Sequence, residues 1–223
     1  MEEDKELVTI ESKYNIRNEQ TKDMREVEEL TRKAFWNLNV PGCNEHYLVH
    51  IMRNHPDFIP ELNFVLEENN MIIGNVMYTK AKLMDENGYE KQILTFGPVS
   101  VLPEYQRMGY GKLLLEYSFE KAKELGYDTI VIFGNPDNYV SRGFKSCKKY
   151  NVCIKNDYYP SAMLVKELRE GSLEGKKWCY KESDVYDIDE KEVEKFDSAF
   201  EKMEKKFKPS QEEFYIHSRS RIV

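Results

Sequence analysis

Residues 93–144 read ILTFGPVSVLPEYQRMGYGKLLLEYSFEKAKELGYDTIVIFGNPDNYVSRGF, and their pattern decides the fold. Residues 93–101 carry the β-branched and aromatic side chains that suit a half-buried pleated surface, so a strand is expected there. Pro103 ends its ladder, because proline has no N–H to donate. Leu114, Leu115, Ser118, Phe119, Ala122 and Leu125 then recur at helical spacing. Gly126 stands where a left-handed C-cap is expected. Residues 128–133 form a short β-branched run of the buried kind.

Between that strand and helix lies Gln106-Arg107-Met108-Gly109-Tyr110-Gly111-Lys112. Two alternating glycines let the backbone turn its N–H groups outward without Cβ obstruction. These groups open a helix, so unpaired donors and the positive end of the macrodipole face the same space. A phosphate or diphosphate binds such a site, and Arg107 and Lys112 add mobile positive charge. The ligand expected on these grounds is an anionic, phosphate-bearing cofactor. A Rossmann loop would need a third glycine, and a P-loop would need Ser or Thr after the lysine; neither is present.

The stretch resembles the acetyl-CoA signature of the GNAT superfamily of N-acetyltransferases, Gln/Arg-x-x-Gly-x-Gly/Ala, at Gln106, Gly109 and Gly111. Val99, Val101 and Pro103 agree with the family's strand end before the signature. Tyr139 to Phe144 resembles its Tyr-x-x-x-Gly-Phe element. The resemblance implies an α+β (mixed α/β) fold with a central twisted mixed sheet of about six to seven strands flanked by helices. It also implies transfer of an acetyl group from acetyl-CoA to a primary amine by direct attack in a ternary complex.

Residue by residue, the resemblance implies that Val99, Ser100 and Val101 line the pantetheine arm. Gln106, Arg107, Met108, Gly109, Tyr110, Gly111 and Lys112 would hold the pyrophosphate, and Asn135 and Asn138 would hydrogen-bond the cofactor. Gly97-Pro98 is the expected seat of the bulge that parts this strand from a neighbour. Tyr139 matches the family's general acid. Many relatives carry a glutamate base on the strand, yet residues 93–101 hold no acidic residue. Glu61, in the rigid Pro60-Glu61 loop, is the substitute read here. The missing strand glutamate also keeps open an alternative, a non-catalytic acyl-CoA-binding sensor.

Working outward, the 223 residues divide into a family-like core over 1–168 and an extension over 169–223. The extension would pack on the core, line the acceptor site or make a homodimer contact. A net charge of −7 argues against nucleic acid as partner. No apolar run nears the roughly 20 residues of a membrane span, and the acidic start Met-Glu-Glu-Asp lacks an apolar signal core, so a cytoplasmic location is expected. Cys43, Cys147, Cys153 and Cys179 form no Cys-x-x-Cys pair and read as reduced thiols. His46 and His50, with His55 after them, read as partly exposed or substrate-facing rather than as metal ligands, and no metal is expected.

Residues 1–11 read as a loose or edge segment and 14–17 as a first strand. Thr21 is read as capping a helix through Phe35, and Asn44 one through about Asn54. Strands are expected at 63–67 and 71–83, joined by Asn69-Asn70, with a bulge or close approach at Gly74. Asn87-Gly88 is a hairpin turn into the central strand. Further strands are expected at 149–154, 162–167, 178–180 and 185–188. Asp189 then caps a helix whose apolar stripe is Val193, Phe196, Ala199, Phe200 and Met203.

Overall fold

The computed structural model describes residues 14–173 and 175–223; the expectation for residues 1–11 lies outside them. In chain order the elements are β1 (Tyr14–Asn18), α1 (Met24–Phe35), α2 (Glu45–Met52), β2 (Phe64–Glu68), β3 (Met71–Asp85) and β4 (Glu90–Val101). Then come α3 (Tyr110–Glu124), β5 (Thr129–Phe133), α4 (Pro136–Tyr139), β6 (Lys145–Ser146), β7 (Val152–Cys153) and β8 (Met163–Glu167). The extension adds β9 (Trp178–Lys181), α5 (Glu190–Asp197) and α6 (Pro209–Arg219).

The sheet is mixed, in the order β1-β2-β3-β4-β5-β8-β6, with β9 added to β3 and β7 to β9. The turn chemistry read from the sequence explains its first half. Asn69 and Asn70 both take positive φ, as a two-residue hairpin turn between β2 and β3 requires. Gly74 stands beside a register shift, and a Cβ there would lie 3.2 Å from the Ser100 carbonyl oxygen, so the backbones approach closely. β4 and β5 run parallel.

Period-2 alternation sorts the strands into two faces. On one, Val76 and Tyr78 of β3, Leu94 and Phe96 of β4, and Ile130 and Ile132 of β5 pack on Leu114, Leu115 and Phe119 of α3. On the other, Met77 meets Val49 and Met52 of α2 together with Val185 of the extension. Further along that face Ala81, Leu83, Ile93 and Val131 are covered by Trp178 and Tyr180 of β9. The extension therefore supplies wall to the core. It is also tied by Arg32 Nε to Asp197 Oδ1 at 2.6 Å and by the Asn37 side-chain amide to the Glu204 carbonyl at 3.0 Å.

Four expectations need correction. Thr21 lies inside a short 3-10 turn that Gln20 and Asp23 cap reciprocally, and the α-helix begins at Met24. The Asn44 side chain does not cap α2; its backbone N–H instead goes to Glu45 Oε2 at 3.0 Å. Residues 149–154 hold only the two-residue β7, because the chain first makes a 3-10 turn that ends on Asn151 in the left-handed region. Residues 185–188 are not a strand: Asp184–Tyr186 is a 3-10 turn with Ser183 accepting from the Val185 N–H, and that local bond outcompetes extended backbone. Among the described residues no helix is long and apolar enough to cross a membrane.

Trp178 is 3% exposed and its indole N–H donates to the Leu173 carbonyl at 3.2 Å. Trp178→Ala is expected to cost about 3–5 kcal/mol of stability, read as a lower urea midpoint by circular dichroism.

Candidate active site

β4 pairs with β3 along nearly its whole length, but it is paired with β5 only where Leu94 faces Ile130. The β3–β4 register slips between Val76/Val99 and Tyr78/Phe96, so β4 has one residue more than β3 across that interval. The extra residue falls at Gly97-Pro98, where the bulge was expected. Beyond it the two parallel strands part. The Leu102 N–H donates to the Ile73 carbonyl on the β3 side. By alternation, Val99 and Val101 turn their backbone groups toward the β5 side, into the gap. The Val101 carbonyl does point away from β3, since it accepts from Gln106 Nε2 at 3.0 Å.

The gap leads to the start of α3. Arg107 has φ +62° and Gly109 φ +93°, and these two left-handed residues turn the chain into the helix. No backbone N–H from Arg107 to Lys112 donates to another group among the described residues. A Cβ at Gly109 would meet nothing within 4 Å, so the turn is open on that side. Consecutive free donors at a helix start, beside a strand with its polar groups turned outward, suit a diphosphate joined to an amide-bearing arm. The residues present therefore fit acetyl-CoA.

The side chains are used unevenly. Arg107, Met108 and Gly109 are exposed, while Lys112 reaches toward Glu116 at 3.6 Å. The Tyr110 hydroxyl donates to Glu68 Oε1 at 2.5 Å, which raises its phenol pKa and fixes the first helical turn to β2. The Ser100 hydroxyl is buried and donates to Thr31 Oγ1 at 3.0 Å, so it looks toward α1. Asn135 caps α4 through the Asp137 N–H at 3.0 Å, and the exposed Asn138 accepts from Arg142 through its carbonyl.

Tyr139, at the end of α4, packs on the α3 side of the sheet against Phe96 and Phe144, with ring centroids at 5.8 and 5.7 Å. Its hydroxyl has no hydrogen-bond partner among the described residues. Burial pushes the phenol up to about 12, so it keeps its proton at neutral pH. The ring lies directly over Gly134, where a Cβ would stand 2.5 Å from Tyr139 Cε2. Glycine at the end of β5 is thus what lets the tyrosine close over the strand.

The structure does not bring Glu61 to Tyr139. Glu61 is exposed in a 3-10 turn and faces Tyr127, beside the C-terminal end of α3. The histidines are also occupied. His46 was expected to be partly exposed or substrate-facing, but it is 0% exposed, 3.1 Å from Asp197 Oδ1, and packed against the rings of Phe196 and Phe200 of the extension. Burial lowers its pKa to about 4 and holds it neutral. His50 is bound to Glu28 at 2.9 Å. His55 sits with Asp57 and Asp184, ligand-type atoms lying within 4.8 Å of one another; His55 Nε2 and Asp184 are already paired at 2.9 Å.

The residues of a second wall of the gap were not singled out in the sequence. On the α2 face the Tyr186 hydroxyl, from the extension, lies 3.4 Å from the Gly97 carbonyl and 3.3 Å from Thr79 Oγ1. Tyr180 is 5% exposed and packs on Phe133 at the end of β5, with centroids at 6.0 Å. Its hydroxyl lies near Thr95 of β4 and beside Glu182. Only the alternation of Tyr180 and Glu182 hinted at this in the sequence, and the strand partner was not readable.

A model of the acetyltransferase (GNAT) family matches residues 14–146. An uncharacterized N-acetyltransferase of Escherichia coli (strain K12), YjhQ, is 27% identical over 88 residues, which are 40% of this chain and 48% of that protein. The chain thus spans about half the length of that relative. A second uncharacterized N-acetyltransferase of the same organism, YhbS, is 26% identical over 161 residues, 72% of this chain and 90% of that protein. The crystal structure of E. coli YhbS in complex with CoA superposes with a TM-score of 0.68 at 22% identity, covering 79% of this chain and 93% of that one. A GNAT family acetyltransferase of Brucella melitensis, solved with acetyl-CoA, gives 0.60 at 22% identity, covering 78% and 97%.

Gly134→Ala is expected to displace the Tyr139 ring and cost about 1–3 kcal/mol. Urea unfolding measures the loss, and a midpoint equal to that of the unmutated protein would refute the close approach.

Proposed function

This chain belongs to the GNAT family of acetyltransferases, and on that premise we propose that it is an acetyl-CoA-dependent N-acetyltransferase that acetylates a primary amine by direct attack in a ternary complex. The observation that carries this reading is the run of unpartnered amides from Arg107 to Lys112, set next to a strand whose neighbour has parted from it. The relatives named N-acetyltransferases support the reaction class, and the neighbours solved with CoA and acetyl-CoA support the co-substrate.

When bound, acetyl-CoA supplies an acetyl group activated as a thioester. The chain's own residues do the rest. The amides from Arg107 to Lys112 and the helix dipole bind the diphosphate. Val99 and Val101 pair with the pantetheine amides as an added strand would. Tyr139, protonated at neutral pH, hydrogen-bonds the departing sulfur and gives it a proton. The amine approaches from the α2 face, which Tyr186 and Phe133 line.

Tyr139→Phe is expected to lower kcat about 10²-fold or more while leaving acetyl-CoA affinity unchanged. Thiol release with a panel of amines, beside calorimetric titration, reads both. Tight acetyl-CoA binding with no amine-dependent thiol release, and no effect of Tyr139→Phe, would favour a sensor instead. Gly109→Val puts a β-branched residue at φ +93°, so acetyl-CoA affinity is expected to fall at least about tenfold.

A further inference from the structure

We propose that Glu182, carried in by the C-terminal extension, is the base that takes the proton from the acceptor amine, so that the extension completes the catalytic site. The proposal rests on the acetyltransferase reading above and names a residue that reading lacks.

Register supplies the first argument. β9 pairs antiparallel with β3, Leu83 opposite Tyr180 and Lys82 opposite Lys181. β4 is also antiparallel to β3, so β9 and β4 run the same way. Tyr180 points inward, its ring on Phe133 and its hydroxyl near Thr95. Two residues on and just past the end of the strand, Glu182 continues that register to the level of Ala81 and Ile93, on the same face as Tyr180. The carboxyl lies beside the Tyr180 hydroxyl near Thr95, two residues before the bulge where β4 and β5 part.

Tyr186 ties that position to the bulge. Its hydroxyl reaches the Gly97 carbonyl, and its phenol is close enough to Glu182 to sense its charge.

Elimination supplies the second argument. β4 offers acid only at Glu90, its far end, where Glu90 is paired with Lys82 at 2.8 Å. Glu61 faces Tyr127 on the α3 side. His46 is sealed against Asp197, and His50 is paired with Glu28. Asp57 and Asp184 are engaged by His55 and Ser183.

The environment of Glu182 supplies the third. It is half-buried and forms no ion pair among the described residues, an arrangement that costs stability and calls for a use. Tyr180 beside it has a buried hydroxyl with no partner at hydrogen-bonding geometry. The titratable groups facing it are the phenols of Tyr180 and Tyr186; β3 and β4 present only Thr79 and Thr95 there. Desolvation lifts the carboxyl to about 7, so both protonation states exist near neutral pH.

The step balances. The acceptor arrives as an ammonium and gives one proton to the Glu182 carboxylate. The freed lone pair forms the C–N bond to the acetyl carbon as the C–S bond breaks. The sulfur takes a proton from Tyr139. The second amine proton leaves with solvent, which also resets Glu182 and Tyr139.

The test measures CoA release by the full chain between about pH 5.5 and about pH 9 with two acceptors. One is a basic alkylamine; the other is an amine whose pKa lies below the assay pH and which needs no base. For the unmutated protein kcat/KM is expected to rise with pH through about 7. Glu182→Gln is expected to lose that limb and about 10²-fold in rate with the alkylamine. It should keep most of the rate with the weakly basic amine. Its melting temperature should hold or rise, since a desolvated carboxylate is gone.

An unchanged pH limb in Glu182→Gln overturns the proposal while leaving the acetyltransferase reading intact. Equal loss with both amines also overturns it, because a structural role would act on both. A protein that binds acetyl-CoA yet releases no thiol with either amine overturns the acetyltransferase reading, and this proposal with it.

Discussion

Everything at the candidate site depends on β4 having one committed side and one open side. β3 holds β4 from Glu90 to Val101, whereas β5 touches it in register only at Leu94. A sheet interior does not normally leave such groups unpaired, since each buried orphan costs about 1–3 kcal/mol. The molecule tolerates the gap because β5 is secured elsewhere. All five of its residues pair with β8, and β8 is held in turn by β6. Pro98, with no N–H, removes one donor that would otherwise have to be satisfied there.

The extension is bound up with the same constraint. β9 extends the sheet by adding to the long overhang of β3 past its pairing with β2, and its Tyr180 ring reaches Phe133 at the end of β5. The turn after β9 puts Tyr186 against the Gly97 carbonyl, and α5 with the turn that follows it locks onto α1 and α2 through Asp197, Phe196 and Phe200. The Arg32–Asp197 pair is mostly shielded from water, so removing one partner would strand the other. The bulge, the cover and the helix pair are therefore coupled through packing.

What the sequence revealed follows from the range of each signal. Asn69-Asn70, Gly109, Gly126 and Asp189 act on the backbone within a few residues, and each turn, helix start or cap stands where they point. Gly97-Pro98 belongs with them, since a missing N–H is a local fact with a local result. The fate of His46 was illegible because the rings that bury it, Phe196 and Phe200, lie some 150 residues away. Glu61 was hard to place for a related reason: a carboxylate entering a strand does not say which face of the sheet it will join, and this one lies near Tyr127. Glu182 was invisible because its meaning depends on β9 choosing β3 as partner, a choice made by tertiary packing on Trp178 and Tyr180.

The two faces of the sheet also divide the titratable groups. Tyr139 stands on the α3 side, its phenol pushed up to about 12; Glu182 stands on the α2 side, lifted only to about 7. Both shifts come from desolvation, yet they act oppositely on function: burial keeps the phenol a proton donor and makes the carboxylate a stronger proton acceptor. On the reading proposed above, a group seated in the gap between them meets a donor on one face and an acceptor on the other. Had both stood on one face, they could have hydrogen-bonded each other and spent that difference internally. Separation across a parted sheet keeps both available, and it requires that the acceptor side be built from a different part of the chain than the helix and loop that carry Tyr139.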